Sequence, residues 1–506
     1  MMQYRNSIKN TINVKLISMA VTAALLSGCQ SIGPDYLRQV FNLPQKFSEP
    51  VADTANPAEN AATKAWWKHY QDAKLNELVE LSLKNNTDIQ LAVARIEEAD
   101  ASMREVGASL FPEVNFSAGA TRTKVTELGA FPVFIAPIRN NYTFGFNTNY
   151  ELDFWGKVRR AKEAATANAL ASRYSKQTVE LSLIGLVSSN YLQLRGIEAQ
   201  IAVTKDNLRS RDESLKLTQR RLDGGIASSL EVSQAEVAVS NLNAQLIELN
   251  RLRALSLHQL AVLTGVLDLK LDEVNQADIR TLPVPPTPPA GLPSALLENR
   301  PDIRQAEQTL IAENAQIGIA KAALYPSISL TGNYGGESLE LGNILKSGAR
   351  IWSLGLGLDL PIFDSGKRKA RVEQATARQK QALAQYQTTI QNAFREVNDA
   401  LVTRRLNVER EQSLAASEAS AKKALAVAEN RYKAGYSAYL EVLDAQRVYN
   451  DAALANVQAR QATSLASVEL FKVLGGDWRE PGQLETKPAS SNAESSKTES
   501  VATKAN

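Results

Sequence analysis

Two segments 210 residues apart carry the same pattern, and this repeat limits the fold more than any other feature of the chain. RRLDGGIASSLEVSQAE (220–236) aligns with NRYKAGYSAYLEVLDAQ (430–446), so that Arg221/Arg431, Gly225/Gly435, Leu230/Leu440, Glu231/Glu441, Val232/Val442 and Ala235/Ala445 coincide. The offset holds forward through Leu255/Leu465, Leu260/Leu470 and Gly265/Gly475, and backward to Gly156-Lys157 and Gly366-Lys367. Further back it becomes 214, pairing Leu83/Leu297, Asp88-Ile89/Asp302-Ile303 and Pro112/Pro326. A fold built twice from one unit is required.

Each copy reads helix, strand, loop, strand, long helix, turn, long helix. In the first, a helix from about Leu75 to Leu110 ends before Pro112. Strands follow at about 113–122 and 141–153. In the second, Tyr142, Phe144, Phe146, Thr148, Tyr150 and Leu152 alternate with Thr143, Gly145, Asn147, Asn149, Glu151 and Asp153. Period-two alternation gives a strand with one apolar and one wet face. The second copy places strands at about 327–335 and 351–361, the latter with Trp352, Leu354, Leu356, Leu358 and Leu360 on one side. The spans 156–265 and 366–475 contain no proline and carry helical periodicity, broken only at Asp223-Gly224-Gly225 and Lys433-Ala434-Gly435. At 1.5 Å per residue, such an arm reaches about 100 Å. Alanine and serine crowd 161–172 and 415–428, which lets long helices lie close together.

The N-terminus reads as a secretory leader. Arg5, Lys9 and Lys15 precede a short apolar run, 16–25, and then Leu26-Ser27-Gly28-Cys29, a bacterial lipobox pattern. Cys29, the only cysteine in 506 residues, becomes the first residue after cleavage and carries acyl chains. The plainer alternative is a lone buried cysteine behind an ordinary signal peptide. Gln30 follows it rather than an aspartate, which by resemblance to enterobacterial sorting favours the outer membrane. The precursor is formally +3, and residues 1–28 hold three cations and no acid, so the mature chain is neutral and nothing supports nucleic-acid binding. Six segments result: 1–28, signal peptide; 29–74, lipidated N-terminal arm; 75–265, first repeat; 266–291, proline-rich linker; 292–475, second repeat; 476–506, a terminal segment with a low-complexity, disordered tail.

Four strands with an apolar face cannot sit in lipid alone, because their edges leave backbone groups unpaired at several kcal/mol each. Closure must come from several chains. Two chains give eight strands and a filled interior; three give twelve and room for a lumen. The competing structure is a soluble α+β lipoprotein with a small sheet on a helical bundle. It accounts for the alternation but not for two hairpins far too long for a compact core.

GPDY (33–36), AWWKHYQDAKLNELVELSLKNNTDIQLAVARIEEA (65–99), YELDFWGKVRRA (150–161), ENRPDIRQAE (298–307), LPIFDSGKRKA (360–370) and RYKAGYSAYLEVLDAQ (431–446) together resemble the TolC-like outer-membrane efflux proteins, and with Cys29 their NodT-type lipoprotein branch. The resemblance implies an α+β membrane protein: a homotrimer with a twelve-stranded transmembrane β-barrel, four strands per protomer, continued by a long periplasmic α-helical barrel. An equatorial belt would come from the linker and terminal segments. It implies a passive exit duct for drugs or other small toxic compounds, docked through a periplasmic adaptor to an inner-membrane RND-type pump, with no cofactor beyond lipid on Cys29. Protein secretion, metal-ion efflux and a poreless periplasmic lipoprotein remain as alternatives.

Two sites carry over from the resemblance. The hairpin tips, Arg221, Gly225, Leu230, Arg431, Gly435 and Leu440, would face the adaptor; the two glycines also permit tight turns. Tyr432, Glu441 and Asp444 would form a periplasmic gate. Glu441 and Asp444 share one helix face, and threefold repetition would ring six carboxylates near one axis, favouring cations. A solvated helix face is the plainer reading of the two acids. The first copy has Gln234 in place of Asp444, so the gate is assigned to the second. Enzyme chemistry lacks an inventory: His69 and His258 have no ligand-spaced partners, and neither a GxSxG nor a Walker A sequence occurs. No metal site is expected.

Overall fold

The computed structural model describes residues 31–39, 41–42, 44, 47–48, 65–126, 137–271, 279–285 and 300–476. A short 3-10 turn, Trp66–Tyr70, leads into α1 (Ala73–Asn85), α2 (Thr87–Ala108), β1 (Glu113–Lys124), β2 (Ile138–Glu151), α3 (Lys157–Asp223) and α4 (Ser229–Thr264). The second copy supplies α5 (Pro301–Ala322), β3 (Ser327–Ser338), β4 (Arg350–Asp359), α6 (Lys367–Lys433) and α7 (Tyr439–Val473). Both α3 and α6 have 67 residues, about 100 Å at the helical rise.

The helix expected over 75–110 is two helices. Asn86 divides them by capping both. Its backbone N–H donates to the Ser82 carbonyl, its side-chain oxygen accepts from Asp88 N at 2.8 Å, and its Nδ2 donates to the Leu263 carbonyl at 3.1 Å. A residue in extended conformation with these partners stops one helix and starts the next. Strand ends also shift. β1 runs on to Lys124, β2 spans 138–151 rather than 141–153, β3 extends to Ser338, and β4 stops at Asp359, before Leu360.

The strands form one antiparallel sheet in the order β1-β2-β3-β4. Phe146 stands opposite both Phe116 and Tyr334, Tyr150 opposite Leu330, and Tyr334 opposite Trp352. The apolar positions therefore share one side, except Ile351, which pairs with Gly335 on the wet side. Among the described residues that side is largely open, with Trp352 76% exposed and Leu354 72%; only at Gly336 does the 339–349 segment approach it, through the Ile344 carbonyl. Among the described residues, neither β1 nor β4 has a strand partner on its outer edge.

The helices bury their own core. Around Tyr191 on α3 lie Trp66, Leu75, Leu78, Leu260 and Phe471; Trp66 stacks on Phe471 at 5.3 Å. The Tyr191 hydroxyl donates to Asp72 at 2.7 Å, while Asp72 caps α1 by accepting from Lys74 N and Leu75 N. A second core gathers Ile303, Leu310, Tyr386, Ile390, Val397 and Leu470. Ala164 and Ala167 of α3 pack on Ala312 and Ala315 of α5, the close approach that small side chains permit.

The described part of the N-terminal arm is a clasp that ties the first repeat to the second. Ile32 N donates to the Trp155 carbonyl, Asn314 Nδ2 to the Pro34 carbonyl, and Asp35 pairs with Arg160. Gly33 has φ +114°, and a Cβ there would stand 2.6 Å from Gly318 Cα, so the GPDY segment requires glycine for both reasons. Tyr36 and Arg38 both reach the buried Glu307. Described linker residues pack as a belt: Arg460 donates to the carbonyls of Ile279 and Leu282, and Arg404 to that of Pro285. Cys29 and the residues after 476 lie outside the described residues, as does the linker from 286 to 299.

Candidate functional site: a polar channel face and the hairpin tips

The wet side of the sheet is a hydrogen-bonded surface. Asn333 Nδ2 donates to Asn147 Oδ1 at 2.9 Å, and Asn147 Nδ2 donates to Ser117 Oγ at 2.9 Å, one ladder across three strands. Above it Asn141 donates to Glu337 at 2.9 Å. A sheet with this face inward and its apolar face outward would line water and contact lipid. At the junction with the helices, Asp153 accepts from Val158 N and Arg159 N, and Asp364 from Gly366 N and Arg368 N. Each carboxylate thus holds the first turn of a long helix against the end of its strand. Desolvation pushes Asp364 up, but the amides of Arg368 and Gly366 and the Arg368 guanidinium together outweigh it and hold its carboxyl below the usual range.

At the far end, both hairpins turn alike. Gly225 has φ +74° and Gly435 φ +82°, and a Cβ at either would meet nothing within 4 Å. Glycine is needed there for backbone conformation, not for space. After each turn the chain folds back, Ile226 N to the Arg221 carbonyl and Tyr436 N to the Arg431 carbonyl. Leu230 and Leu440 project into solvent, as do Ile226 and Tyr436, the last 80% exposed. Ile226 and Tyr436 obey the same 210-residue offset; that correspondence was the available signal for them.

Tyr432 does not project. It is 5% exposed and packs with Ala235, Ala428, Tyr439 and Val442. The Arg221 guanidinium lies 4.5 Å from its ring centre and the Tyr439 ring 5.6 Å away. Arg221 Nη1 also donates to the Tyr432 carbonyl at 3.4 Å. The structure therefore brings a residue read as a tip, Arg221, onto a residue read as the gate, and the two hairpins meet there. The Tyr432 hydroxyl is buried with no hydrogen-bond partner. Glu441 and Asp444 are more exposed, and each has an arginine: Arg431 at 3.7 Å and Arg447 at 2.9 Å.

Sequence reading missed the seam behind Tyr432. Gln446 Nε2 donates to Ser214 Oγ at 3.1 Å, and Asn207 Nδ2 to Asn450 Oδ1 at 2.6 Å, joining α3 to α7. Arg211 is buried beside Tyr439 and Asp451. Burial pushes its guanidinium pKa down, against smaller opposing pulls from those two groups. Burial also pushes the Tyr439 phenol up, with Arg211 pulling it back. Nearer the sheet, the α3–α7 seam has an apolar cluster of Ala199, Val203, Ala453, Leu454 and Val457, with Gln458 Nε2 donating to Gln200 Oε1 at its exposed margin. Polar residues recurring at helical period on otherwise packed faces were the available hint.

The sequence matches the family described as Outer membrane efflux protein over residues 78–266 and 292–476, one match to each copy of the repeat. The toluene efflux pump outer membrane protein TtgC of Pseudomonas putida is 34% identical, covering 92% of this chain and 96% of its own. The cation efflux system protein CusC of Escherichia coli is 30% identical over 92% and 99%. SilC of Salmonella typhimurium, named a probable outer membrane lipoprotein, is 30% identical over the same shares. A crystal structure of CusC superposes with a TM-score of 0.79 at 28% identity, over 88% of this chain and all of that one. The expected fold class, a share of a membrane β-barrel continued by long paired helices and built from an internal repeat, is the one these channels have. The chain accordingly belongs to the outer membrane efflux protein family and is an outer-membrane efflux channel with a periplasmic helical extension.

Proposed function

We propose that three copies assemble into a duct, closing twelve strands into a barrel and placing the ladder of Ser117, Asn147 and Asn333 inside. The observation that carries this is the largely exposed apolar side of a sheet whose two edges have no strand partner among the described residues, on a chain whose helices have their own core. Leaving those edges unpaired in lipid costs several kcal/mol per group, and closure between chains removes the cost. Acyl chains on Cys29 would tether each copy, a reading supported by the lipobox and by the name of SilC.

Cargo enters from the hairpin end in this reading. The exposed pairs Ile226/Tyr436 and Leu230/Leu440 form the surface for a periplasmic adaptor that links the duct to a proton-driven inner-membrane pump of the RND type. Tyr432 holds the entrance shut by joining the hairpins, with Arg221 and Tyr439 against its ring. The seam behind it is buried and polar near the tip and has an apolar cluster nearer the sheet, which supports opening by the tip end of α6 and α7. Glu441 and Asp444 set cation preference at the mouth, tempered by Arg431 and Arg447.

Small toxic organic compounds are the cargo this reading favours, in line with TtgC, named for toluene efflux. CusC, named for cations, is the counterexample. After Cys29 the sequence offers one methionine, Met103, and two histidines, few soft ligands for a metal relay. Recordings in planar bilayers test the duct. Wild-type protein should give small, cation-selective openings, and Glu441→Gln with Asp444→Asn should reduce the selectivity. A silent bilayer with correctly assembled protein would support the poreless lipoprotein instead.

A further inference from the structure

On the apolar side of the sheet, charge occurs only at one end. Even-numbered strand residues occupy this side: Val114, Phe116, Ala118 and Ala120 in β1, then Arg122 and Lys124; Trp352, Leu354, Leu356 and Leu358 in β4, headed by Arg350. The even positions of β2 and β3 carry no charge at all, and no strand residue on this side is acidic. Every acid of the four strands (Glu113, Glu151, Glu337 and Asp359) faces the wet side. Arg122, Lys124 and Arg350 are exposed, and none is ion-paired among the described residues. They lie at the strand ends remote from the helices, where β1 ends and β4 begins.

The pairing register brings the three cations to one level. Arg350 pairs with Gly336, Gly336 with Phe144, and Phe144 with Ala118, so its hydrogen-bonded row meets β1 six residues before the end at Lys124. At the other end, the row through Glu113 passes Asn149 and Thr331 and meets β4 at Gly355, four residues before its end at Asp359. Strand ends that climb steadily against the rows are the stagger of a tilted barrel. The first residue of β4 and the last residues of β1 therefore stand at the same height. From Val114 to Arg122 the chain rises about 27 Å along the strand at 3.4 Å per residue, or roughly 20 Å after a tilt near 40°. Arg122 is thus placed at the outer limit of the hydrocarbon band. Trp352 lies two residues inward of Arg350, where aromatic side chains mark the interface.

Closing the barrel adds the decisive neighbour. β1 and β4 are the free edges, so Arg350 of one copy comes beside Arg122 and Lys124 of the next, with adjacent strands about 4.8 Å apart. We infer that each of the three seams binds a phosphorylated glycolipid headgroup of the outer leaflet, its phosphates held by Arg122 and Lys124 from one copy and Arg350 from the other. Charge complementarity names the occupant. Three unpaired cations facing lipid at headgroup height require anions, and arginine presents paired donors to phosphate oxygens. The acyl chains of such a lipid would lie on Trp352, Leu354 and Phe116 beneath. The lipid would bridge two subunits and so would stabilise the assembly. This inference rests on the trimeric closure proposed above.

Purified full-length protein in detergent would be heated with and without diphosphoryl lipid A, and its mass measured by light scattering before heating. Wild-type particles of three chains should melt at a higher temperature with diphosphoryl lipid A and remain unshifted with the dephosphorylated form or with inorganic phosphate. The triple variant Arg122→Gln, Lys124→Gln, Arg350→Gln should still form particles of three chains but bind the lipid at least about tenfold more weakly, as expected for lost charged phosphate contacts. An equal shift in wild type and variant, no shift in wild type, or a shift produced by inorganic phosphate would each overturn the site. A particle of one chain would refute the trimeric closure itself, and the mass reports that outcome separately from the melting shift. If the triple variant does not assemble, Arg350→Gln alone, which removes one side of each seam, decides by the same comparison.

Discussion

Replacing Tyr432 separates the ring of this residue from its hydroxyl. The ring contacts the Arg221 guanidinium at 4.5 Å and the Tyr439 ring at 5.6 Å. A desolvated cation–π contact is worth about 1–2 kcal/mol, and an aromatic pair about 0.5–1.5 kcal/mol. If the hairpins part there on opening, Tyr432→Ala removes about 2–3 kcal/mol from the closed state. At 1.4 kcal/mol per decade, the ratio of open to closed entrances rises about 30- to 140-fold. The hydroxyl makes no hydrogen bond. Tyr432→Phe therefore loses no bonded group and should stay within about threefold of wild type, since removing an unsatisfied buried hydroxyl carries no penalty. Open probability from single-channel recordings measures both variants, with Arg221→Gln as a third that removes the cation and keeps the ring. If Phe opened the channel as much as Ala, the hydroxyl would be the lock and the stacking argument would fall. If Ala were closed like wild type, Tyr432 would not hold the entrance.

Further outcomes follow from other contacts. Gly335→Val puts side-chain atoms against the Phe144 carbonyl oxygen across the β2–β3 pair, so it should abolish membrane insertion, read by outer-membrane fractionation. Gly318→Val meets Arg160 and the Ile32 carbonyl; it should release the clasp and expose residues 31–48 to protease while leaving the trimer mass unchanged. Burial first, then the Asp72 carboxylate and its hydrogen bond, raise the Tyr191 phenol above its ordinary value of 10.0. A raised folded-state pKa gives stability that is complete below the unfolded value and lost as pH climbs past it. Thermal stability should fall above about pH 10, and Tyr191→Phe should lessen that fall, at the cost of the Asp72 bond.

The sheet was legible because period-two alternation is a local property: Phe144, Phe146 and Tyr150 declare their side without reference to any partner. The hairpins were legible because Gly225 and Gly435 interrupt long proline-free runs. What escaped depends on distant chain. The break at Asn86 needs the Leu263 carbonyl as well as the local caps, so the helix seemed continuous from 75 to 110. Pairing β2 with β3, which joins the two copies into one sheet, left no local trace. Arg221 seemed to belong only to a tip because nothing in its neighbourhood announces Tyr432, 211 residues on. Glu441 and Asp444 read as a bare carboxylate pair, yet Arg431 and Arg447, both nearby in sequence, partner them.

The number of chains in a folded particle tests the central claim most directly. Light scattering of detergent-extracted protein, with the detergent contribution subtracted, should give three chains, and far-ultraviolet circular dichroism of the same sample should show the strand content retained. Stable single subunits with the four-stranded sheet intact would contradict the account, because a protomer with two open edges and a largely exposed apolar face would then be sufficient by itself.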